Sequence, residues 1–558
     1  MKADLTRDTF HPLKHYARVL TQQGRVQLDA DMNEQAAILL RYLQTLAADL
    51  IGPAGGPASN PGFEIIPLPA SNALDFQIGF GNYYVNGLLC QADFVPMAIL
   101  PTTTTAVFQL MNWRSEFELQ PNPYFYEIFD ATPSPSGPPP APVPVVIAGA
   151  TKAQDQYQIT FQSAPDLTGF STPTLRRLIT YLHQPDFVFS TKSNPNSPLP
   201  LPLQSGNLQI YLDVWERAIT YAEDDSIREV ALGGPDTAAR SKLVWQVKWQ
   251  PATSGADGQM TCGTPAPVPS RGWLQAMAKQ ASQSTNPCII NPTAAYTGPE
   301  NQLYRVEINR AGLAGTVTGT SATFKWSREN GSVLYPISSG GGTAVIVVES
   351  LGRDDRFGLV EGDFVEVQDD RSVLSNLPGN LLPVQSIDST TMTVTLNGTP
   401  DTLLGSDETL HPLMRRWDQT NGDPAEGGLT LDNDNAAFVQ EGVWLTLEDG
   451  VQIRFQPADP VDPKNPPVNQ YLTGDYWLIP ARTATGDVEW PKVTDAQGNP
   501  ETDPQGNIIP VALPPHGITH YYAPLAIIGV SADGVSPIRG CRNSFSLNTA
   551  PLSAIKKR

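Results

Sequence analysis

Apolar and polar residues alternate along most of the stretch from 301 to 400, and this pattern constrains the fold more than any other feature of the chain. Alternation with a period of two is typical of strands that bury one face. Six short runs of this kind lie between turn residues: 303–308, 322–326, 344–348, 364–367, 382–387 and 392–396. Strands at this spacing predict a small β-barrel or sandwich.

The same pattern recurs on both sides of this region. Asn86-Gly87 lies between Tyr83-Tyr84-Val85 and Leu88-Leu89-Cys90, and this dipeptide is the strongest short signal for a hairpin. Further predicted strands are 208–215, 243–249, 444–447, 451–455 and 476–479. The 45 Gly and 53 Pro residues also favour many short strands joined by long loops. One short helical piece is predicted at 273–280.

One strong helix signal stands out, from Asp31 to Ile51. Asp31 can cap the helix together with Glu34, and Gly52-Pro53 ends it. Apolar residues recur at helical spacing in between, and they are Ala36, Leu39, Leu40, Leu43, Leu46, Ala47 and Leu50. Such a wide apolar surface is typical of a helix covered on more than one side. The helix either docks on its own domain or is shared between subunits.

The predicted fold is mainly β: an N-terminal arm and one amphipathic helix, followed by several small sandwich-like or barrel-like domains with long Pro/Gly-rich loops. The division has five consecutive segments, which are 1–60 (arm and helix), 61–145 (hairpin domain), 146–300 (β domain with long loops), 301–400 (small barrel or sandwich) and 401–558 (C-terminal β domain). The Pro-rich run 132–144 is predicted to be a stiff spacer, and the alternative is a peptide that docks on a partner domain.

Net charge, the absence of long apolar stretches and the spacing of the cysteines argue against several classes of protein. The net charge of −20 disfavours binding to nucleic acid or to anionic membrane. The N-terminus lacks the apolar stretch of a signal peptide, and no run of about 18 apolar residues offers a membrane span. The sequence therefore predicts folding in the cytoplasm. The four cysteines have no CxxC spacing, which argues against structural zinc, and a bond between Cys262 and Cys288 stays open.

The sequence contains no recognisable catalytic constellation, so no enzyme activity, cofactor or metal is predicted. The chain has no GxSxG, HExxH, Walker A or GxGxxG motif. His516 and His520 have metal-ligand spacing but follow two prolines that oppose a helix. Residues 432–435 cluster oxygen ligands without the Gly and Glu of a calcium loop, so a turn is preferred. The ten Trp residues are predicted to lie in the core or on sheet faces, and the alternative is that some of them stack on sugars.

Several segments resemble an uncharacterised bacterial family whose genes often lie beside those of phage-tail-like contractile injection systems. They are TRDTFHPLKHYARVLTQQGRVQLDADMNEQAAILLRYL (6–43), YLDVWERAIT (211–220), IREVALGGPDTAAR (227–240), GPENQLYRVEIN (298–309), FKWSRENGSV (324–333), GDYWLIPARTATGDVEWP (474–491) and PPHGITHYYAPLA (514–526). The region that runs from the arm through the hairpin at Asn86-Gly87 is also similar to the attachment end of some phage baseplate and fibre proteins.

The resemblance implies a structural component of such a particle, anchored by the arm and helix and exposing a β body. The implied partners are baseplate, sheath or tube proteins and further copies of the chain, as a trimer or on a larger ring. Assembly would be cytoplasmic, and the particle would then be released or docked at a membrane. The predicted assembly interface is Phe10, Leu28, Leu39, Leu40, Leu43, Leu46 and Leu50. The alternatives are a cargo or effector, and a glycan-binding, adhesin-like module.

Overall fold

A computed structural model describes residues 1–68, 74–94, 96–102, 106–110, 125–132, 140–153, 156–188, 202–255, 258–265, 272–279, 295–352, 358–458, 468–504 and 506–546. The chain groups into two compact units, each drawn from three separate segments. The first unit contains 1–42, 215–244 and 266–520, and the second contains 43–214, 245–265 and 521–558. The five-segment division from the sequence stays a prediction about finer subdivision.

The first unit contains two sheets that share one large hydrophobic core. In order across the sheet, the five-stranded one comprises Ala437–Phe438, Thr323–Ser327, Gln302–Arg310, Tyr476–Arg482 and Asp487–Val488. The three-stranded one comprises Leu274–Ala278, Val451–Phe455 and Leu445–Thr446. Trp326, Trp477 and Phe455 lie in the core between them and are almost fully buried. Large aromatic side chains supply much of the apolar area that such a core buries.

A closed six-stranded barrel also belongs to the first unit. Its strands, in order around the barrel, are Leu334–Ser339, Val345–Val348, Thr393–Leu396, Leu381–Asp388, Phe364–Gln368 and Leu413–Trp417. Tyr335, Ile346, Val365, Val394 and Met414 fill its interior. Closure pairs every strand on both sides and so removes the free edges of an open sheet. Four of the six predicted runs supply barrel strands, whereas the runs 303–308 and 322–326 belong to the five-stranded sheet, and Leu334–Ser339 and Leu413–Trp417 complete the barrel.

The described residues of the second unit form four sheets. A seven-stranded sheet has the order Ile147–Ala153, Gln156–Phe161, Val107–Leu110, Met97–Pro101, Pro173–Arg177, Tyr126–Asp130 and Val143–Val145. A four-stranded sheet has the order Ser544–Phe545, Ala54–Pro57, Gly81–Val85 and Leu88–Ala92. Another has the order Arg240–Pro251, Gly206–Ile219, Tyr521–Ser531 and Gly534–Gly540. A small pair is formed by Ile65–Pro67 and Phe76–Ile78.

Helices are few in the described residues. The α-helices are α1, Asp29–Ile51, and α2, Asp370–Leu374. The 3-10 turns are Pro12–Lys14, Asp225–Ile227, Val230–Leu232, Glu408–Leu410 and Pro424–Glu426. None of the described helices has the length and apolarity needed to cross a membrane. The mainly β fold with one long N-terminal helix is therefore confirmed.

Two local predictions have different outcomes. The hairpin at Asn86-Gly87 is confirmed, with both turn residues at positive φ as its turn type requires. The prediction of a short helix at 273–280 is wrong, because Leu274–Ala278 is a strand paired with Val451–Phe455. Leu274, Ala276 and Ala278 enter the core of the first unit. Tertiary pairing thus overrides the helix propensity of Leu, Gln, Ala and Met in this segment.

Candidate assembly surface

The N-terminal arm is held against α1 by hydrogen bonds to polar side chains in the first turns of the helix. The Thr6 amide donates to Asp29 Oδ2 at 2.8 Å, and the Thr6 hydroxyl also donates to this carboxylate. The Thr9 hydroxyl donates to Glu34 Oε2 at 2.7 Å. The Val19 amide donates to Gln35 Oε1 at 2.8 Å. The arm therefore lies along the first turns of the helix.

These contacts correct the predicted start of the helix. It begins at Asp29, two residues earlier than predicted, and Asp31 lies within the first turn. Glu34 binds Thr9 of the arm and does not complete the predicted capping pair with Asp31. Partial burial raises the pKa of Asp29, but the hydrogen bonds from Thr6 outweigh it and hold the pKa below its ordinary value. A charged Asp29 also suits the positive end of the helix dipole.

The predicted interface residues on α1 lie on its exposed surface. Leu39, Leu40, Leu43, Leu46 and Leu50 are each more than half exposed. Leu28, just before the helix, is 40% exposed, and Phe10 in the arm is half-buried. The structure adds Met32 and Tyr42 to the exposed set, both more than half exposed. Ala30 and Ile38 are the buried residues of the helix.

The first residues of the arm enter a network of buried charges in the first unit. Lys2 Nζ lies 2.9 Å from Glu307 Oε1, and Arg305 Nε lies 2.6 Å from Glu307 Oε2. Lys325 Nζ donates to Glu366 Oε2 at 2.8 Å. Burial raises the pKa of Glu307, but Lys2, Arg305 and Lys325 outweigh it and hold the pKa well below its ordinary value. The network therefore keeps its carboxylates ionised.

The backbone of the arm is fixed at the same place. The Asn330 amide donates to the carbonyl oxygens of Met1 and Ala3, at 3.0 and 2.8 Å. The Lys2 ammonium also lies 5.4 Å from the centroid of the Trp417 ring, within range of a cation–π contact. Burial lowers the pKa of Lys2 to about 8, although Glu307 acts in the opposite direction. These contacts tie the arm to the first unit.

The acidic turn at residues 432–435 is closed by an arginine. Arg310 contacts Asp432 Oδ2, and its Nη1 lies 2.9 Å from Asp434 Oδ2. The Gly319 amide donates to Asp432 at 3.1 Å. The guanidinium supplies the positive charge that a cation would otherwise bring, so the interpretation of this segment as a turn is supported.

The two histidines with metal-ligand spacing are held apart by different aromatic partners. The His516 ring stacks on Tyr476 with centroids 5.6 Å apart, and the His520 ring stacks on Trp215 at 4.8 Å. The segment 514–520 is not helical, as its prolines predicted. Across the part of the chain that the structure describes, no group of His, Cys, Asp and Glu has the arrangement of a metal site.

Glu448 is an acid whose surroundings favour its protonated form. It lies in the turn between two strands, where the Tyr304 hydroxyl donates to Oε1 at 3.0 Å and Arg328 Nη2 lies 2.9 Å from Oε2. Burial raises the pKa of Glu448 to about 7, although Arg328 acts in the opposite direction. A raised carboxyl pKa makes stability depend on pH near neutrality.

Substituting Glu448 by Gln is expected to flatten this pH dependence. Because its pKa is raised in the folded chain, Glu448 contributes stability that is complete below its unfolded pKa of 4.5 and is lost as pH rises through about 7. The free energy of unfolding of the native chain should fall by roughly 1–3 kcal/mol between pH 5 and 8 from this residue. Urea unfolding at both pH values measures the fall. Glu361→Gln, at an exposed glutamate, is the control, and an unchanged fall in Glu448→Gln would contradict the assignment.

The cysteine pairing differs from the one that the sequence left open. Cys262 forms a disulfide with Cys541, and both lie in the second unit. Cys288 lies outside the described residues, as do the Pro-rich positions 133–139. Cys90 is a free, buried thiol. A sequence separation of 279 residues gave no spacing signal from which this pair could be read.

The buried charges were not predicted from the sequence. The strand Gln302–Arg310 is buried at every position but its last, so it does not alternate between an apolar and a polar face. Lys325 and Glu366 are likewise flanked by apolar residues in short strands. A charged residue in the middle of such a strand was the available signal, because it must find a partner when buried.

One family model matches the chain. It is described as a family of unknown function (DUF6519), and it matches residues 1–130, 196–260 and 268–558. No curated protein and no solved structure matches. The match covers both units and includes the whole of the arm and α1.

Proposed function

We propose that this chain, which belongs to the DUF6519 family, is a structural component of a contractile, phage-tail-like particle and assembles into it through its arm and α1. The arm and helix form the attachment element, and the β-rich units form the exposed body. The proposed partners are baseplate, sheath or tube components. In this role the chain carries no catalytic site and needs no cofactor.

The observation that carries this proposal is the exposed apolar surface of α1. Five leucines in less than four helical turns are each more than half exposed in the single chain. The largest apolar patch on a typical monomer covers about 300–600 Å² and usually has a function. A helix that leaves its leucines in water is strongly favoured to bury them in an assembly, because burying each leucine stabilises by about 1.5–3 kcal/mol.

Two further observations support a particle over a glycan-binding module. Among the described tryptophans, Trp273 is the most exposed, at 44%, whereas Trp215, Trp245, Trp326, Trp417, Trp477 and Trp490 are buried. Stacking platforms for sugars need exposed rings, so the adhesin alternative has little support. The Cys262–Cys541 disulfide suits a protein that meets an oxidising exterior after assembly, because such bonds persist mainly outside the cytoplasm.

The test is the presence of the chain in purified particles. Tagged wild-type chain is produced in cells that make the contractile particle, and intact particles are isolated and probed for the tag. We expect the wild type in the particles at fixed stoichiometry, and at least about tenfold less of the variant Leu43→Glu/Leu50→Glu, because a buried unpaired charge costs several kcal/mol.

The control carries two glutamates at exposed leucines outside the arm and helix, Leu232→Glu/Leu313→Glu. Point substitutions are preferred to removal of the arm, because Lys2 is part of a buried charge network in the first unit. Particles that contain no wild-type chain would refute the proposed function. Equal incorporation of the helix variant and the control would refute attachment through α1.

A further inference from the structure

Six exposed apolar residues of α1 form a line with the spacing of a coiled coil. Met32, Ala36, Leu39, Leu43, Leu46 and Leu50 are all exposed, and successive members are separated by four, three, four, three and four residues. We call these six residues the seam. Alternating steps of three and four define the a and d positions of the heptad repeat, with Ala36, Leu43 and Leu50 at a.

Within the described residues, the hydrogen bonds between the arm and the helix lie outside the seam. The arm binds Asp29, Glu34 and Gln35, which are polar residues outside the seam. The buried residues Ala30 and Ile38 also lie outside it. A helix that satisfies only its own chain needs one apolar stripe. Here a second apolar stripe, with the regular spacing of a helix–helix contact, faces water.

The seam is large enough for a specific interface. Together with Leu40 and Tyr42 it provides seven large apolar side chains, each more than half exposed. At on the order of 100 Å² each, they approach the roughly 800 Å² that each partner buries in a standard interface. Tyr16, Leu20 and Val26 of the preceding arm are also more than half exposed and extend the apolar area.

The residues that flank the seam favour a second copy of this chain as the partner. In a coiled coil these e and g positions choose the partner through charge. Here they are Asn33, Leu40 and Ala47 on one side, and Gln35, Tyr42 and Asp49 on the other. Asp49 alone is charged. A parallel copy would place Gln35 against Leu40 and Tyr42 against Ala47, and an antiparallel copy would place Asp49 near Gln35. Neither orientation opposes like charges, and nothing at the flanks selects an oppositely charged partner.

We infer that the seam packs against the seam of a second copy of this chain, through knobs-into-holes contacts between the two α1 helices. The inference rests on the assembly role proposed above and names the partner that this surface binds. The same face on both copies makes the contact isologous, which is the commonest way in which identical chains associate. The rest of the surface opposes association, because each copy has a net charge of −20.

The test is the mass of the purified full-length chain in solution, measured by sedimentation equilibrium. We expect a multiple of 60.3 kDa for the wild type at micromolar concentration. The seam variant Leu39→Glu/Leu46→Glu should be monomeric, with self-association weakened by at least about 100-fold, because it buries four like charges in one contact. Raising NaCl from about 50 to 500 mM should maintain or strengthen association of the wild type, because salt screens the repulsion between acidic copies.

The matched control Leu232→Glu/Leu313→Glu adds the same charge at exposed leucines elsewhere and should keep the wild-type mass. Both variants change exposed side chains, so circular dichroism and thermal midpoints should match those of the wild type. A monomeric wild type up to about 50 μM would overturn the inference, because two-sided burial of this seam should give at least micromolar affinity. A seam variant that keeps the wild-type mass would also overturn it. A wild type that is monomeric in solution but present in particles would refute self-association and leave the proposed function standing.

Discussion

Substituting Glu366 by Gln is expected to lower the free energy of unfolding of the first unit by about 3–5 kcal/mol. Glu366 is fully buried in a barrel strand. Its Oε2 accepts hydrogen bonds from Lys325 Nζ and from Trp417 Nε1, both at 2.8 Å, and its Oε1 accepts one from the Gly379 amide at 2.7 Å. Burial raises the pKa of Glu366, but the attraction of Lys325 outweighs it and keeps the carboxylate charged.

The cost of this substitution arises from the groups that remain. Glutamine keeps the shape and one oxygen, so the Gly379 amide can retain its acceptor. Its NH₂ group then faces two donors, Lys325 and Trp417, and the Lys325 ammonium loses its closest counter-charge while it stays buried. The second carboxylate near this ammonium, Glu307, is farther away, at 3.7 Å. Leaving one member of a buried ion pair uncompensated is among the most destabilising changes in a protein core.

Urea unfolding with hydrogen exchange of the strands Thr323–Ser327 and Leu413–Trp417 measures this loss. Glu361→Gln, at an exposed glutamate, should change stability by less than about 0.5 kcal/mol. The double variant Glu366→Gln/Lys325→Met should recover part of the loss, because it removes the stranded charge as well. A loss below about 1 kcal/mol in Glu366→Gln would mean that the pair contributes little.

The sequence predicts some parts of the fold and of the candidate assembly surface, but not others. The six runs of alternation between 301 and 400 all correspond to strands, although Gln302–Arg310 and Thr323–Ser327 are buried along nearly their whole length and not on one face alone. The strand Leu334–Ser339 was not predicted, because Pro336 interrupts its pattern. Proline removes a donor from the ladder and so weakens the sequence signal for a strand.

The five leucines of the predicted interface on α1 are all exposed in the single chain, whereas the position of the buried face of the helix was not predicted. Leu40 and Ala47 lie beside the seam and widened the apparent stripe, so helical spacing alone does not distinguish Ile38, which is buried, from Leu39, which is exposed. Only the burial of Ala30 and Ile38 distinguishes the face that the chain covers from the face that it leaves open. Helical spacing identifies the apolar residues of the helix, whereas their burial in the folded chain shows which of them stay exposed and available to a partner.

The pairing of Cys262 with Cys541 lay beyond sequence reasoning for a related reason. The second unit is assembled from segments that are far apart in the chain, and residues 245–265 and 521–558 meet within it. Arg539 donates to the Met260 carbonyl at 3.0 Å beside the bond, so the two segments already lie together. No spacing rule connects positions that are brought together by a non-consecutive fold.

Removing this disulfide is expected to lower the free energy of unfolding of the second unit by about 3–5 kcal/mol. The bond closes a loop of 279 residues, and in the chain-entropy account its stabilisation grows with the logarithm of loop length. Without it, the segment around Cys541 must be brought back to the segment around Cys262 at the full cost of closing that loop. The substitution Cys262→Ser/Cys541→Ser leaves small polar side chains and avoids a single unpaired thiol.

Thermal and urea unfolding with and without a reductant measures the effect, followed by hydrogen exchange in the strands Tyr521–Ser531 and Gly534–Gly540. The wild type should lose stability on reduction, whereas the double serine variant should be insensitive to it, which separates the bond from any effect of the substitutions. Hydrogen exchange in the barrel strands of the first unit should change little, because the bond joins two segments of the second unit. If reduction leaves the stability of the wild type unchanged, these two cysteines do not form a stabilising bond. The disulfide would then no longer support the proposal that the protein functions outside the cytoplasm.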